Sequence, residues 1–252
     1  NLNISLKIES NGSNSHYVSG RGELQLAILV EQLRREGYEF ELSKPEVILQ
    51  EINGVMCEPI EELVIDAPEE YMSVITQEVS ERKGKMVNME TEQGESRFTF
   101  HILTRNLIGL HRTLMTATKG TAVINSAIID YVPHERGSEL FRKGVIISSE
   151  TGTALAYALM SVQERGRLFI TGSTDVYEGM IIGINNTEDD LEVNPCKARH
   201  KTNVRMSHAE VTEISLKTPI TLTIEYALSF INEDELIEIT PKNIRLRKKP
   251  LK

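Results

Sequence analysis

The chain has 252 residues, 28 basic and 37 acidic side chains, and a formal net charge of −9. Its length allows two domains and part of a third, and its 40% hydrophobic content is that of an ordinary globular protein. The acidity excludes a protein that coats nucleic acid indiscriminately, and no apolar run approaches the roughly 20 residues that a membrane-spanning helix needs.

In chain order, the opening stretch alternates as a strand through Ile4, Leu6 and Ile8, with a second strand at His16 to Val18. It shows no basic region leading into an apolar core and no initiator Met, so the chain is expected to be a fragment without a secretory signal. Leu26, Leu29, Val30 and Leu33 fall at the spacing of an amphipathic helix that Gly37 ends. Tyr38, Phe40 and Leu42 then alternate with Glu39 and Glu41 as a closing strand.

The clearest organisation follows. Ile60 to Asp66 is a β-branched run, Met72, Ile75, Val79 and Arg82 share one side of a helix, and Gly84 stops it. Met86 to Met89 is a second strand, and Phe98, Phe100 and Ile102 alternate as a third. Leu107, Leu110 and Leu114 have helical spacing up to Gly120, and Thr121 to Ile129 supplies the last strand. This β-α-β-β-α-β order predicts a ferredoxin-like unit. The first 44 residues look like the second half of another such unit, an internal repeat whose first copy is cut. From Pro133 onward short β segments are expected: Val145–Ser148, Ala154–Met160, Leu168–Thr171 and Met180–Asn185. A helix at about Leu222 to Ile231 precedes a hairpin that turns at Thr240-Pro241-Lys242-Asn243. The fold class is therefore α+β. Its expected domains are a truncated unit at 1–44, a complete ferredoxin-like unit at 45–132, and a mostly-β domain at 133–252.

Chemistry is sparse. Cys57 and Cys196 are too few and too far apart for a disulfide framework, and the six histidines form no ligand spacing, so no metal site is expected. The acidic runs at 58–62 and 69–70 lack a partner base or nucleophile and read as solvated faces; no catalytic residue is predicted. Positive charge matters more. The polar stretch from Asn185 to Ser207 has acids at 188, 189, 190 and 192, followed by Lys197, Arg199, Lys201 and Arg205 with His200 among them. A long polar loop of this kind is uncommon unless functional or disordered, and an RNA-contacting loop is the favoured reading. The tail carries Lys242, Arg245, Arg247, Lys248, Lys249 and Lys252 without an acid, and an RNA contact is again the favoured reading, with a purely solubilising tail as the alternative. At Arg82, Lys83 and Lys85, a helix end with favourably placed cations and an RNA contact are equally open readings.

Val18-Ser19-Gly20-Arg21-Gly22-Glu23-Leu24-Gln25-Leu26, running into Arg34-Arg35-Glu36-Gly37, resembles the third domain of elongation-factor-G-like GTPases. Lys44-Pro45-Glu46-Val47 leads straight into the second unit, where elongation factor G has another domain, and this looks like the BipA/TypA branch. So do Glu81-Arg82-Lys83-Gly84, Leu107-Ile108-Gly109, Val176-Tyr177-Glu178-Gly179 and Thr202-Asn203-Val204-Arg205. Asn106 stands where that family usually has Gly. Asn tolerates a positive φ, so the same turn is expected.

The resemblance implies the C-terminal part of a cytoplasmic, ribosome-binding translational GTPase. Its partners would be ribosomal RNA, ribosomal proteins and tRNA near the factor-binding or A site. Asn203 joins the implied contacts through its family segment. GTP and Mg²⁺ would belong to an N-terminal G domain, and no cofactor is expected in this chain, which has no GxxxxGK[ST] loop. The alternative is a ferredoxin-like regulatory or protein-interaction module without ribosome binding. One further expectation concerns residues 1–44. Losing the first strand and helix of a 4-1-3-2 sheet leaves an open edge, which predicts self-association with a neighbouring copy or poor order.

Overall fold

A computed structural model describes residues 6–12, 15–20, 22–135, 142–198 and 216–250. They form two compact units. One spans 45–135; the other joins described residues of 6–20 and 24–44 to those of 142–250.

The chain opens with an antiparallel pair, β1 (Lys7–Ser10) and β2 (His16–Ser19). Helix α1 (Glu23–Arg35) has an acid in its first turn and Arg34 and Arg35 in its last, both favourable to the helix dipole. It ends at Gly37, which adopts φ +94° while Tyr38 N–H bonds back to Leu33 O. Strand β3 (Phe40–Leu42) follows.

The unit at 45–135 begins with β4 (Gln50–Ile52), which turns through Asn53-Gly54 into the long β5 (Val55–Pro68). Both turn residues have positive φ, as a tight two-residue hairpin requires. A single 3₁₀ turn leads into α2 (Met72–Glu81), then β6 (Lys85–Glu92) and β7 (Glu95–Leu103). Two short helices, α3 (Thr104–Leu107) and α4 (Leu110–Ala117), precede β8 (Val123–Pro133). β8 pairs β5, β5 pairs β7 and β7 pairs β6, the 4-1-3-2 order of the ferredoxin-like fold. Its core is Leu63, Ile65, Phe98, Phe100 and Ile102 from the sheet against Ile75, Val79, Leu110 and Leu114 from the helices. Alternation thus decides which face of β5 and β7 meets α2 and α4. The single helix expected through Leu107 and Leu110 is broken. Gly109 takes φ +76° between α3 and α4, and only α4 buries its leucines.

The rest of the chain supplies β9 (Val145–Ser148), β10 (Gly152–Thr153), α5 (Ala156–Val162), β11 (Gly166–Leu168), β12 (Asp175–Val176), β13 (Met180–Asn185), β14 (Leu191–Val193), α6 (Ile224–Phe230), β15 (Glu235–Ile239) and β16 (Ile244–Lys248). The main sheet runs β14-β9-β13-β16-β15-β3, with β11 on the same edge of β13 as β16. Both faces of its centre are covered. Val145, Ile147 and Ile181 pack with Ala27 and Val30 of α1 and with Ile224, Ala227 and Leu228 of α6. Ile146, Met180 and Ile182 point the other way, to Leu159 and Val162 of α5. Burial on both faces explains why β9 and β13 read as continuous apolar runs.

Three expectations change here. Ala154–Met160 is not a strand; α5 occupies most of it, and Ala, Leu and Met without a β-branched residue favour helix there. Residues 1–44 do not stand apart as a domain. β3 is hydrogen-bonded to β15, pairing Leu42 with Ile237 and Phe40 with Ile239, and α1 shares its core with α6. The edge at β3 and the inner face of α1 thus find partners inside the chain, whereas among the described residues β1 and β2 pair only with each other as a two-stranded sheet.

Candidate nucleic-acid interface

The polar stretch after β13 is structured in its first part. Asn185 Nδ2 donates to Thr187 Oγ1 at 2.7 Å and Asp189 O at 2.6 Å, and Val145 N–H donates to Asp190 Oδ1 at 2.8 Å. Gly144 lies so close that a Cβ there would stand 2.1 Å from Asp189 O. β14 then pairs in parallel with β9. The Asp189 carbonyl and the Asp190 carboxylate are thus fixtures of the turn and sheet, so the first part of 185–207 is not a featureless loop. Lys197 is exposed just beyond β14. Arg199, His200, Lys201, Asn203 and Arg205 lie outside the described residues.

The basic hairpin is largely paired within the fold. Arg247 donates to Glu41 of β3 at 2.6 Å and meets Glu238 at 3.0 Å. Lys248 Nζ contacts Asp190 at 2.6 Å, Asp234 at 2.8 Å and Glu235 at 3.1 Å. Burial opposes the Lys248 charge, yet these carboxylates hold its pKa above the ordinary lysine value. Glu235 is fully buried and also takes Arg142 at 2.5 Å, whose guanidinium lies 4.5 Å over the Phe230 ring. Lys249 Nζ donates to the Glu233 carbonyl. Arg245 is half-buried near the Tyr177 hydroxyl, and Lys242 is exposed in the turn. Of this cluster, sequence shows the positive charge but not the acids that three-dimensional pairing brings to it.

Arg82 is likewise structural. Its Nη1 donates to Ile108 O at 2.8 Å and Asn106 O at 3.3 Å, and Asn106 Nδ2 returns a bond to Arg82 O at 2.9 Å. Burial of the guanidinium lowers its pKa. Asn106 is itself buried and helical in α3; the positive φ that family resemblance suggested for it belongs to Gly109. Lys83 takes φ +58° in the turn leaving α2, and Lys85 is exposed at the start of β6.

Val176-Tyr177-Glu178-Gly179 makes the turn into β13. Tyr177 Oη donates to Glu238 Oε2 at 2.5 Å, and its pKa is raised by burial first and by that carboxylate second. Gly179 takes φ +83° while its N–H bonds to Ser148 O. The helix-free face of the ferredoxin-like sheet pairs Glu62 with His101, Val64 with Thr99 and Asp66 with Arg97. These central β5 and β7 positions offer no Phe, Tyr or Trp to stack a base, so this is not a stacking platform of the RNA-recognition type. Among the described residues no cluster of three His, Cys, Asp or Glu could hold a metal, and no helix is long and apolar enough to cross a membrane.

Residues 55–137 match the family described as the elongation factor G C-terminus, and residues 143–252 match the TypA/BipA C-terminal domain. That succession defines the C-terminal region of an elongation-factor-G-like protein. Three relatives carry the name large ribosomal subunit assembly factor BipA. The protein of Buchnera aphidicola (subsp. Baizongia pistaciae) is 45% identical over 100% of this chain and 42% of its own length. That of Bacillus subtilis is 43% identical over 98% of this chain and 41% of its own, and that of a Synechocystis species 41% over 98% and 41%. The chain belongs to the BipA/TypA family, as its C-terminal portion. It spans about two-fifths of the length of these relatives.

Proposed function

We propose that this chain is the ribosome-binding part of a large-subunit assembly factor of the translational-GTPase type, acting in the cytoplasm. The observation that carries the reading is the match, over essentially all of this chain, to part of three proteins named as large ribosomal subunit assembly factors. Ribosomal RNA and ribosomal proteins are its partners, with tRNA near the factor-binding site as a further contact. Lys197, Arg199, His200, Lys201, Asn203 and Arg205 form the main contact, a basic segment that follows the turn at 185–190 in the chain. Lys83, Lys85, Arg245 and Lys249 add peripheral charge. Arg82, Arg247 and Lys248 support their surroundings, because their charges are already engaged by the fold. GTP and Mg²⁺ chemistry belongs to a G domain elsewhere in the intact factor, and no catalytic residue is assigned here.

Co-sedimentation with purified large subunits at graded salt tests the proposal. Saturable pelleting that weakens log-linearly with salt is expected, because phosphate contacts release counterions. Neutralising Lys197, Arg199, Lys201 and Arg205 together should weaken pelleting at least tenfold with the fold intact by circular dichroism. Equal pelleting and an equal salt slope would remove the loop from the contact.

A further inference from the structure

We propose that Arg165, Arg167 and Lys217 form a second phosphate-binding patch that takes the backbone of structured RNA, an inference that rests on the ribosome-binding reading above. These three residues do not stand out in sequence. Arg165 and Arg167 flank Gly166 at the start of β11, and Lys217 is fifty residues on. The fold brings them together. Segment 216–220 runs beside β11, with Ile220 N–H bonded to Leu168 O at 2.8 Å and Lys217 N–H to Gln163 Oε1 at 2.9 Å. Lys217 therefore sits next to the entry of β11, and all three side chains are exposed.

The backbone that presents them is tightly held. A Cβ at Gly166 would fall 1.9 Å from Ile184 O, and one at Gly183 2.6 Å from Arg167 O, so β11 and β13 meet at a distance only glycine allows. Gly166 and Leu168 are buried and Leu168 joins the core beside α5, so alternation turns Arg167 between them to the exposed side, while Arg165 is exposed in the turn that leads into β11. Two residues apart in the chain, their backbones lie within about 7 Å of each other, a reach that suits neighbouring phosphates of one strand.

The charges of this patch are not taken up by the fold. Arg34, Arg35, Arg97, Arg142, Arg247 and Lys248 each have a carboxylate partner. Among the described residues no ion pair is made by Arg165, Arg167 or Lys217. Glu164 is adjacent in sequence, and its carbonyl accepts from Asn186 Nδ2. Cations with no internal partner, held on a rigid strand, are available to an external anion without first breaking a salt bridge. Guanidinium groups match phosphate oxygens in paired geometry, and lysine adds a point charge.

The test uses the full 252-residue chain in two assays: anisotropy with a fluorescent RNA duplex at several salt concentrations, and pelleting with large subunits. The double variant Arg165→Gln/Arg167→Gln is compared with the charge-matched Lys119→Gln/Lys143→Gln, both exposed lysines outside the patch. Circular dichroism and melting verify that each variant folds. The arginine pair should lose at least tenfold in RNA affinity and about 1.5 units of log–log salt slope, with Lys217→Gln adding a smaller loss; the lysine control should stay within twofold of wild type. Equal losses in both doubles would reduce the patch to net charge and overturn the proposal. Loss of pelleting with unchanged duplex binding would assign the patch to an acidic protein and overturn it as an RNA site. Wild-type pelleting that the arginine pair leaves intact, with duplex binding unchanged, would remove the patch while sparing the ribosome reading. A wild type that binds neither subunits nor duplex would end both.

Discussion

Arg82 and Asn106 hold each other through backbone carbonyls, so each is worth more to its neighbour than to solvent. Arg82→Ala strands the Asn106 and Ile108 carbonyls next to buried α3 and should cost about 2–3 kcal/mol, with Arg82→Lys recovering little because it cannot fork between two acceptors. Denaturant unfolding followed by circular dichroism reads this as a lower midpoint at unchanged slope. Loss of ribosome association without any loss of stability would instead return Arg82 to the binding surface.

Lys248 and Tyr177 lend the fold a pH dependence whose sign is fixed. Both have folded pKa values above their unfolded ones, so their contribution is complete below pH ~10 and is lost as pH rises through the higher folded values. Asp66 is held low by its bond to Arg97. At Asp234 burial pushes upward, but the Lys248 bond prevails and lowers the carboxyl. Their contribution is complete above pH ~4 and fades as pH falls through the depressed values. Melting temperature should therefore be flat between about pH 5 and 9 and decline on both flanks. Tyr177→Phe together with Lys248→Met should lower the plateau and flatten the alkaline flank; an unchanged flank would show that other groups set it.

Among the elements, β11 is the most constrained. Gly166→Ala drives a methyl into Ile184 O and should cost at least about 3 kcal/mol, because strand separation would open both β11 and the core around Leu168. Gly54→Ala meets no neighbour and suffers only its φ of +79°, so a cost of about 1 kcal/mol is expected from the same measurement. Sequence patterning locates β9, β13, α2, β7 and the final hairpin well, because each is either a β-branched apolar run or a clear alternation. It misassigns α5, since a short apolar run buried on one face does not reveal its period. It also misses β14, whose parallel partner β9 lies more than forty residues upstream. The candidate site was legible as charge and illegible as geometry. Arg245, Arg247, Lys248 and Lys249 look alike in sequence, while the acids that neutralise two of them come from β3, the 185–190 turn, the 233–234 turn and β15.

The two compact units have separate cores, one built on Phe98 and Phe100 and the other on Ile181 and Ile237. Phe98→Ala should remove about 3–5 kcal/mol from the unit at 45–135. Hydrogen exchange would register it in β5 and β7, while protection in β13 and β15 stays near wild type. The edge strand β3 has a different consequence, for biosynthesis. Its residues 40–42 leave the exit tunnel early, yet their hydrogen-bonding partner is residues 237–239. Between those two moments the strand has no native edge to join, while the unit at 45–135 can already close on itself. Such long-range pairing folds slowly and leaves hydrophobic strand exposed while it waits. A nascent chain halted before residue 235 should therefore keep α1 and β3 protease-sensitive while β5 to β8 are protected. Release of the final hairpin gives β3 its partner and completes the sheet in a single step.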